Sequence, residues 1–226
     1  MSLIDIFYPK TCVNCGYLGA YLCPDCYQKL AYLDQQLCFY CGCPSLNGLT
    51  HPGCVRHHQV DGSLSIFHYN FLLKKIVKQF KYRLARSVLT DFMNSINWFE
   101  QYIFLKRLPK DTVFQPIPLH QDRFLKRGFN QARLVAEGFN LYLHFSIIDL
   151  LQRKINTEPQ ANIKDKKERR KNLKQAFGFI QSKNITPKTV VLVDDVLTTG
   201  ATLGAAAYIL KKAGVKKIYV LTLARG

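Results

Sequence analysis

Eight cysteines crowd into the first 54 residues of this chain, and none follows. They stand as Cys12-x-x-Cys15, Cys23-x-x-Cys26, Cys38-x-x-Cys41 and Cys54-x-x-His57, with Cys43 surplus. Two residues between ligands make a tight turn that aims both side chains at one point. Two such turns close the tetrahedral shell, with sulfur at about 2.3 Å, that a zinc ion takes. Gly16 and Gly42 follow Cys15 and Cys41 and leave the chain free to take positive φ there. We expect two structural zinc ions: one on Cys12, Cys15, Cys23 and Cys26, the other on Cys38, Cys41, Cys54 and His57. Cys43 could replace Cys41 or His57, and His51 and His58 compete for the second site. Iron–sulfur ligation shares this spacing. A disulfide framework needs an oxidising compartment, and the start of the chain argues for the cytoplasm, since Met1 to Asp5 lacks a basic region and meets an acid at once. A redox CxxC is usually single. No ligand position is left open for water, so the metal should support folding and not catalysis.

The cysteines stop and a different pattern begins near residue 60, so a zinc-binding module over 1–60 and a larger domain over 61–226 are expected. Leu72, Leu73, Ile76, Val77, Phe80 and Leu84 recur at helical spacing, and 87–105 continues as a second helical stretch. Val113 to Pro118 reads as a buried strand, Phe129 to Leu143 as a helix, Ile147 to Leu151 as another strand, and 152–175 as a polar stretch. Thr189 to Val193 then gives a strand, Ala201 to Ala213 a helix with Gly214 as its C-cap, and Lys217 to Leu223 a last strand. Strands alternating with helices imply an α/β fold, a parallel sheet flanked by helices. No apolar run approaches the ~20 residues that cross a bilayer, so no membrane insertion is expected.

The most informative string runs Val190-Val191-Leu192-Val193-Asp194-Asp195-Val196-Leu197-Thr198-Thr199-Gly200-Ala201-Thr202. A buried strand delivers two adjacent carboxylates, and a hydroxyl-and-glycine turn opens a helix. Ligands of open α/β sheets bind just beyond the carboxyl ends of strands, and the free N–H groups of a helix start suit a phosphate. Carboxylates beside a phosphate repel it. They fit one group further along, accepting hydrogen bonds from ribose hydroxyls, with Mg²⁺ sharing the charge. A sugar phosphate is the expected ligand.

This string resembles the phosphoribosyl pyrophosphate (PRPP) signature of the type I phosphoribosyltransferases. Pro116-Ile117-Pro118-Leu119-His120 with Arg123, Arg127-Gly128-Phe129-Asn130-Gln131-Ala132, Arg153, Thr157 to Ala161, Asn172 to Phe177 and Leu223-Ala224-Arg225 are similar to the ComF branch of that family, as is the cysteine-rich start. The resemblance implies a type I phosphoribosyltransferase-like sheet. It implies that Asp194 and Asp195 hold the ribose and are the catalytic acids. Leu119, Val196, Leu197, Thr198, Thr199, Gly200, Ala201 and Thr202 would complete the PRPP site, with Thr198 to Thr202 around the 5′-phosphate. Pro118, Arg123 and Arg127 would serve the pyrophosphate side, and 152–172 would be a mobile loop. It further implies a role in natural transformation, handling incoming single-stranded DNA with other competence or DNA-processing proteins. No nucleobase-reading segment is recognisable, so a PRPP-binding protein without transferase activity and an active transferase with an unidentified acceptor both stand.

Charge points the same way. Lys and Arg number 32 against 15 Asp and Glu, a net +17, which asks for a polyanionic partner. Lys74, Lys75, Lys78, Lys81, Arg83 and Arg86 occupy thirteen residues without an acid. Lys74, Lys78, Lys81 and Arg83 are the candidate nucleic-acid contacts, with Phe80 and Tyr82 interleaved as stacking surfaces. Lys164 to Lys174 holds seven more basic residues.

Overall fold

A computed structural model describes residues 9–55, 60–79, 85–155, 175–180 and 187–226. The expectations placed on His57, His58, Phe80 to Arg83, Thr157 to Ala161 and the basic run 164–174 lie outside the described residues.

In the cysteine-rich segment each knuckle folds back as a short antiparallel bridge, Thr11 with Leu18 and Leu37 with Pro44. Gly16 and Gly42 take φ of 80° and 72° to close them. A single helical turn, α1 (Pro24–Tyr27), separates Cys23 from the lysine and leucine that follow.

Apolar alternation builds the rest. In chain order the elements are β1 (Gly62–His68), α2 (Phe71–Gln79), α3 (Ala85–Ser95), α4 (Phe99–Lys106), β2 (Val113–Pro116), α5 (Gln121–Arg127), α6 (Gln131–Leu143), β3 (Ser146–Ile147), β4 (Leu151–Arg153), β5 (Phe177–Phe179), β6 (Thr189–Leu197), α7 (Ala201–Lys212) and β7 (Lys217–Arg225). Five strands form an all-parallel sheet of order β1-β7-β6-β2-β3. On β6, Val191 and Val193 face one apolar cluster while Val190 and Leu192 face the other. That is the period of two of a strand buried on both faces. Helices α2, α3, α4 and α6 cover the first face, and α7 the second. No described helix is long and apolar enough to cross a membrane.

Several expectations shift. The stretch 87–105 breaks into α3 and α4 at Ile96 to Trp98, where Ile96 and Trp98 turn inward. The strand expected over 147–151 splits: β3 joins the main sheet, and β4 pairs antiparallel with β5 in a separate ribbon. The C-cap of α7 is Ala213, and Gly214 follows it with φ of 100°. β6 does not stop at Val193, because its register with β7 continues through Asp194–Thr222 to Leu197–Arg225.

The cysteine-rich segment does not swing free. It lies along the outer edge of β1, where Leu33 N–H donates to the Ile66 carbonyl at 2.8 Å and His68 N–H to that of Ala31 at 2.9 Å. The buried Gln36 side chain both donates to the Ser65 carbonyl and accepts its N–H, each at 2.9 Å. An edge strand that would otherwise offer unpaired backbone is thereby closed.

Candidate functional site

Chain direction creates a crevice. From β2 the chain passes through α5 and α6 onto one face; from β6 it passes through α7 onto the other; and β2 and β6 are neighbours. Their carboxyl ends flank a topological switch point, where an open parallel sheet leaves room for a ligand. The two segments singled out in the sequence border it. Pro116 pairs with Val193, and Ile117 N–H donates to the Val193 carbonyl at 2.9 Å. Asn130 Nδ2 donates to the Ile117 carbonyl at 3.0 Å, which brings the start of α6 to the same edge.

Asp194 and Asp195 are half-buried at the end of β6, and Asp194 Oδ1 accepts the Asp195 N–H at 2.9 Å. Burial first, then the charge of Asp195, push the Asp194 carboxyl well above the ordinary range, with Arg153 of β4 working against them. Arg153 is itself held below its usual value by burial and by Arg123, with Asp194 opposing. Tyr69 is raised by burial and by Asp195. Two acids and two arginines thus share one field, and Asp194 resists ionising until a cation or donors arrive. Because its folded pKa lies above the unfolded value, the stability it contributes is present below that unfolded value, about 4, and is lost as pH rises through the folded pKa. Asp194→Asn should therefore stabilise the ligand-free protein by on the order of 1 kcal/mol at pH 8 and by less at pH 5, as read from urea denaturation at both.

Beyond the acids, Val196 and Leu197 continue the strand, and Thr198 and Thr199 form an exposed turn. Gly200 takes φ of 69° and offers no side chain to cap α7, whose first residues Ala201 and Thr202 are half-buried. Thr199 Oγ1 accepts the Ala201 N–H at 3.4 Å. A helix start of this kind presents N–H groups and a positive dipole end to an anion.

On the other border, Pro118 and Leu119 are half-buried in the loop after β2, and helix α5 then begins. His120 starts it by accepting the Asp122 N–H on Nδ1. Arg123 and Arg127 stand one turn apart on it, and Arg127 Nη1 donates to Gln131 Oε1 at 2.6 Å. Gln131 Nε2 is buried without a partner among the described residues, a donor that the sequence reading did not single out. It passed over Arg153 as a charge acting on Asp194, too, because that proximity depends on the β4–β5 ribbon.

The cysteines gather as two sets, Cys12, Cys15, Cys23 and Cys26, and Cys38, Cys41, His51 and Cys54, with ligand atoms within 4.8 Å of one another in each. The Cys15 and Cys23 sulfurs are 3.6 Å apart, near the edge of about 3.8 Å that a tetrahedron of 2.3 Å Zn–S bonds requires. Burial opposes the Cys12 thiolate, but N–H groups of Cys23, Cys15 and Asn14 favour it and lower its pKa to about 6. At Cys41, the Cys43 N–H lowers the pKa to about 6 against burial. The sulfur-rich donor sets fit zinc. Among the described residues His51 joins the second set, its Nδ1 3.3 Å from Cys41 Sγ, and it is one of the residues that the sequence offered as a competitor to His57. Cys43 Sγ instead reaches toward the Cys41 carbonyl.

On α2, Lys74 and Lys78 are exposed opposite the buried Leu72, Leu73, Ile76 and Val77. Lys75 donates to Asn14 Oδ1 at 3.0 Å and lies over the Phe71 ring, 4.8 Å from its centroid. Phe71 itself is 72% exposed. It is an accessible aromatic among lysines that the helical pattern, read for its core, overlooked.

Residues 125–226 match the phosphoribosyl transferase domain, and residues 3–55 the double zinc ribbon domain. The chain is similar to competence protein F of Haemophilus influenzae, with 31% identity over 97% of this chain and 98% of that protein. It is similar to competence protein ComFC of Bacillus subtilis, with 30% identity over 90% and 84% respectively. A DNA utilization protein of Shigella flexneri is 26% identical over 93% and 92%.

Proposed function

The chain belongs to the competence protein F family, and on that premise we propose that it serves natural transformation, handling incoming single-stranded DNA in the cytoplasm and holding PRPP in the crevice between β2 and β6. The observation that carries the PRPP reading is the acid pair of β6 running without a break into the Gly200 turn and the start of α7. Asp194 and Asp195 would accept hydrogen bonds from the two ribose hydroxyls. The α7 N–H groups with the Thr198, Thr199 and Thr202 hydroxyls would take the 5′-phosphate. Arg123 and Arg127, together with Pro118 and Leu119, would bound the pyrophosphate. The all-oxygen set of two carboxylates and phosphate oxygens fits Mg²⁺, which, when bound, would neutralise charge on the pyrophosphate. Calorimetry with PRPP and Mg²⁺ tests this reading, and absence of heat at millimolar ligand would sink it.

For the nucleic acid, the net +17 and the exposed Lys74 and Lys78 beside Phe71 support backbone contacts with base stacking. Labelled oligonucleotide titrated at several salt concentrations should give a steep negative slope of log K against log salt. Each phosphate contact on a single strand contributes about −0.7, so Lys74→Glu with Lys78→Glu should flatten the slope by about 1.4. Binding with no salt dependence would remove DNA handling from the proposal. A second reading, an active transferase, is favoured by the intact acid pair with Arg153 acting on Asp194 and Arg123 acting on Arg153, positive charge that suits stabilising a departing pyrophosphate. Pyrophosphate release on screening nucleobases and single-stranded DNA against PRPP distinguishes it.

A further inference from the structure

The turn at Gly200 is built partly by the zinc ribbon. Phe39, between the ligands Cys38 and Cys41 of the second knuckle, is 9% exposed and packs in the α7-side cluster with Leu197 and Leu203. A Cβ placed on Gly200 would lie 2.8 Å from the Phe39 Cζ and 3.2 Å and 3.3 Å from Cε1 and Cε2. The ring tip therefore stands directly behind the turn, and positive φ is not the sole reason for glycine there. The same knuckle is tied to the other end of the turn. Arg225, paired with Leu197 across β6 and β7, donates to the Leu37 carbonyl at 2.9 Å and the Cys38 carbonyl at 2.7 Å. Gly226 N–H donates to the Leu197 carbonyl at 3.0 Å. Tyr40 OH anchors the knuckle from behind by accepting the Val60 N–H at 3.0 Å.

We propose that Phe39 is a positioning residue for the phosphate turn, and that the Cys38, Cys41, His51, Cys54 cluster, by fixing Phe39, couples its own metal occupancy to affinity for the sugar phosphate. The affinity half of this rests on the PRPP reading above; the packing half does not. With metal in the cluster the knuckle cannot swing, so the ring holds Gly200 in the conformation that presents the α7 amides. Without it the ring is released and the turn samples conformations that bind no phosphate. Linkage makes the effect reciprocal: whatever factor metal adds to ligand affinity, ligand adds to metal retention.

The experiment follows amide exchange of the segment 197–204 and PRPP affinity in the full chain, with zinc content measured for each variant. Phe39→Ala should keep both metals, speed exchange in 197–204 and weaken PRPP about tenfold, within the usual range of such couplings. Phe39→Leu should recover most of both effects. Phe39→Tyr, whose hydroxyl would extend from Cζ into Gly200, should also perturb the turn with the metals in place, so the test survives if the alanine variant loses zinc. PRPP should slow transfer of zinc from wild type to a chromogenic chelator. Unchanged exchange in 197–204 for both the alanine and tyrosine variants overturns the proposal while PRPP binding by wild type still stands. Faster exchange without any wild-type PRPP binding keeps the positioning role and removes the ligand.

Discussion

Changing Asp194 and Asp195 together to asparagine is expected to weaken PRPP binding by two orders of magnitude or more. Each carboxylate is assigned a charge-assisted hydrogen bond from a ribose hydroxyl, at about 1.5–3 kcal/mol each, so the loss of both amounts to ~3–6 kcal/mol. The fold should tolerate the change, because Asp194 is pushed toward its neutral form by burial and by Asp195 and asparagine resembles that form. Loss of affinity would then come with equal or greater stability, a combination that misfolding cannot produce. Calorimetry in Mg²⁺ measures the first and urea denaturation the second. An unchanged dissociation constant would mean that the crevice between β2 and β6 does not hold the ribose.

The other large effect concerns metal. Wild type should carry two zinc ions per chain by elemental analysis, and Cys12→Ser one. Structural zinc contributes about 10–16 kcal/mol of apparent binding free energy in isolated fingers, more than the whole stability of most domains. Here the damage should not stay in the ribbon. Leu30 belongs to the main core cluster, with Val13, Tyr21 and Leu22 packed against it, so releasing the first knuckle uncovers apolar surface on α2 and α3. Cys12→Ser should lower the thermal midpoint of the entire protein and not merely add a low-temperature shoulder. Wild type with a single zinc would show that the set containing His51 does not assemble.

Local chemistry made part of this legible in advance. The CxxC pairs and the β6 acid string carry their meaning in residues a few positions apart, so turn geometry and strand period suffice to read them. The βα unit of β6 and α7 was clear because its apolar run is long and its punctuation unambiguous. What escaped depends on distant partners. β1 reads as Gly-Ser-Leu-Ser-Ile-Phe-His, with buried serines that become acceptable because Ser63 Oγ donates to the Leu37 carbonyl at 3.0 Å, Ser65 Oγ meets Thr222 Oγ1 at 2.7 Å and Gln36 meets the Ser65 backbone. Phe39 stands between two ligands in the sequence, and its place behind Gly200 spans 161 positions.

The placement of β7 bears on how the protein is made. This strand is the last described element, yet it sits between β1 and β6 and is the one named strand that pairs with β1 among the described residues. A nascent chain emerging from the ribosome must therefore hold one edge of β1 and one side of β6 open until residues 217–225 have been synthesised. The ribbon reaches its final anchorage later still, when Arg225 arrives at Leu37 and Cys38. Synthesis stalled before residue 217 leaves adhesive strand edges exposed, and such truncated products are natural clients for chaperones and proteases.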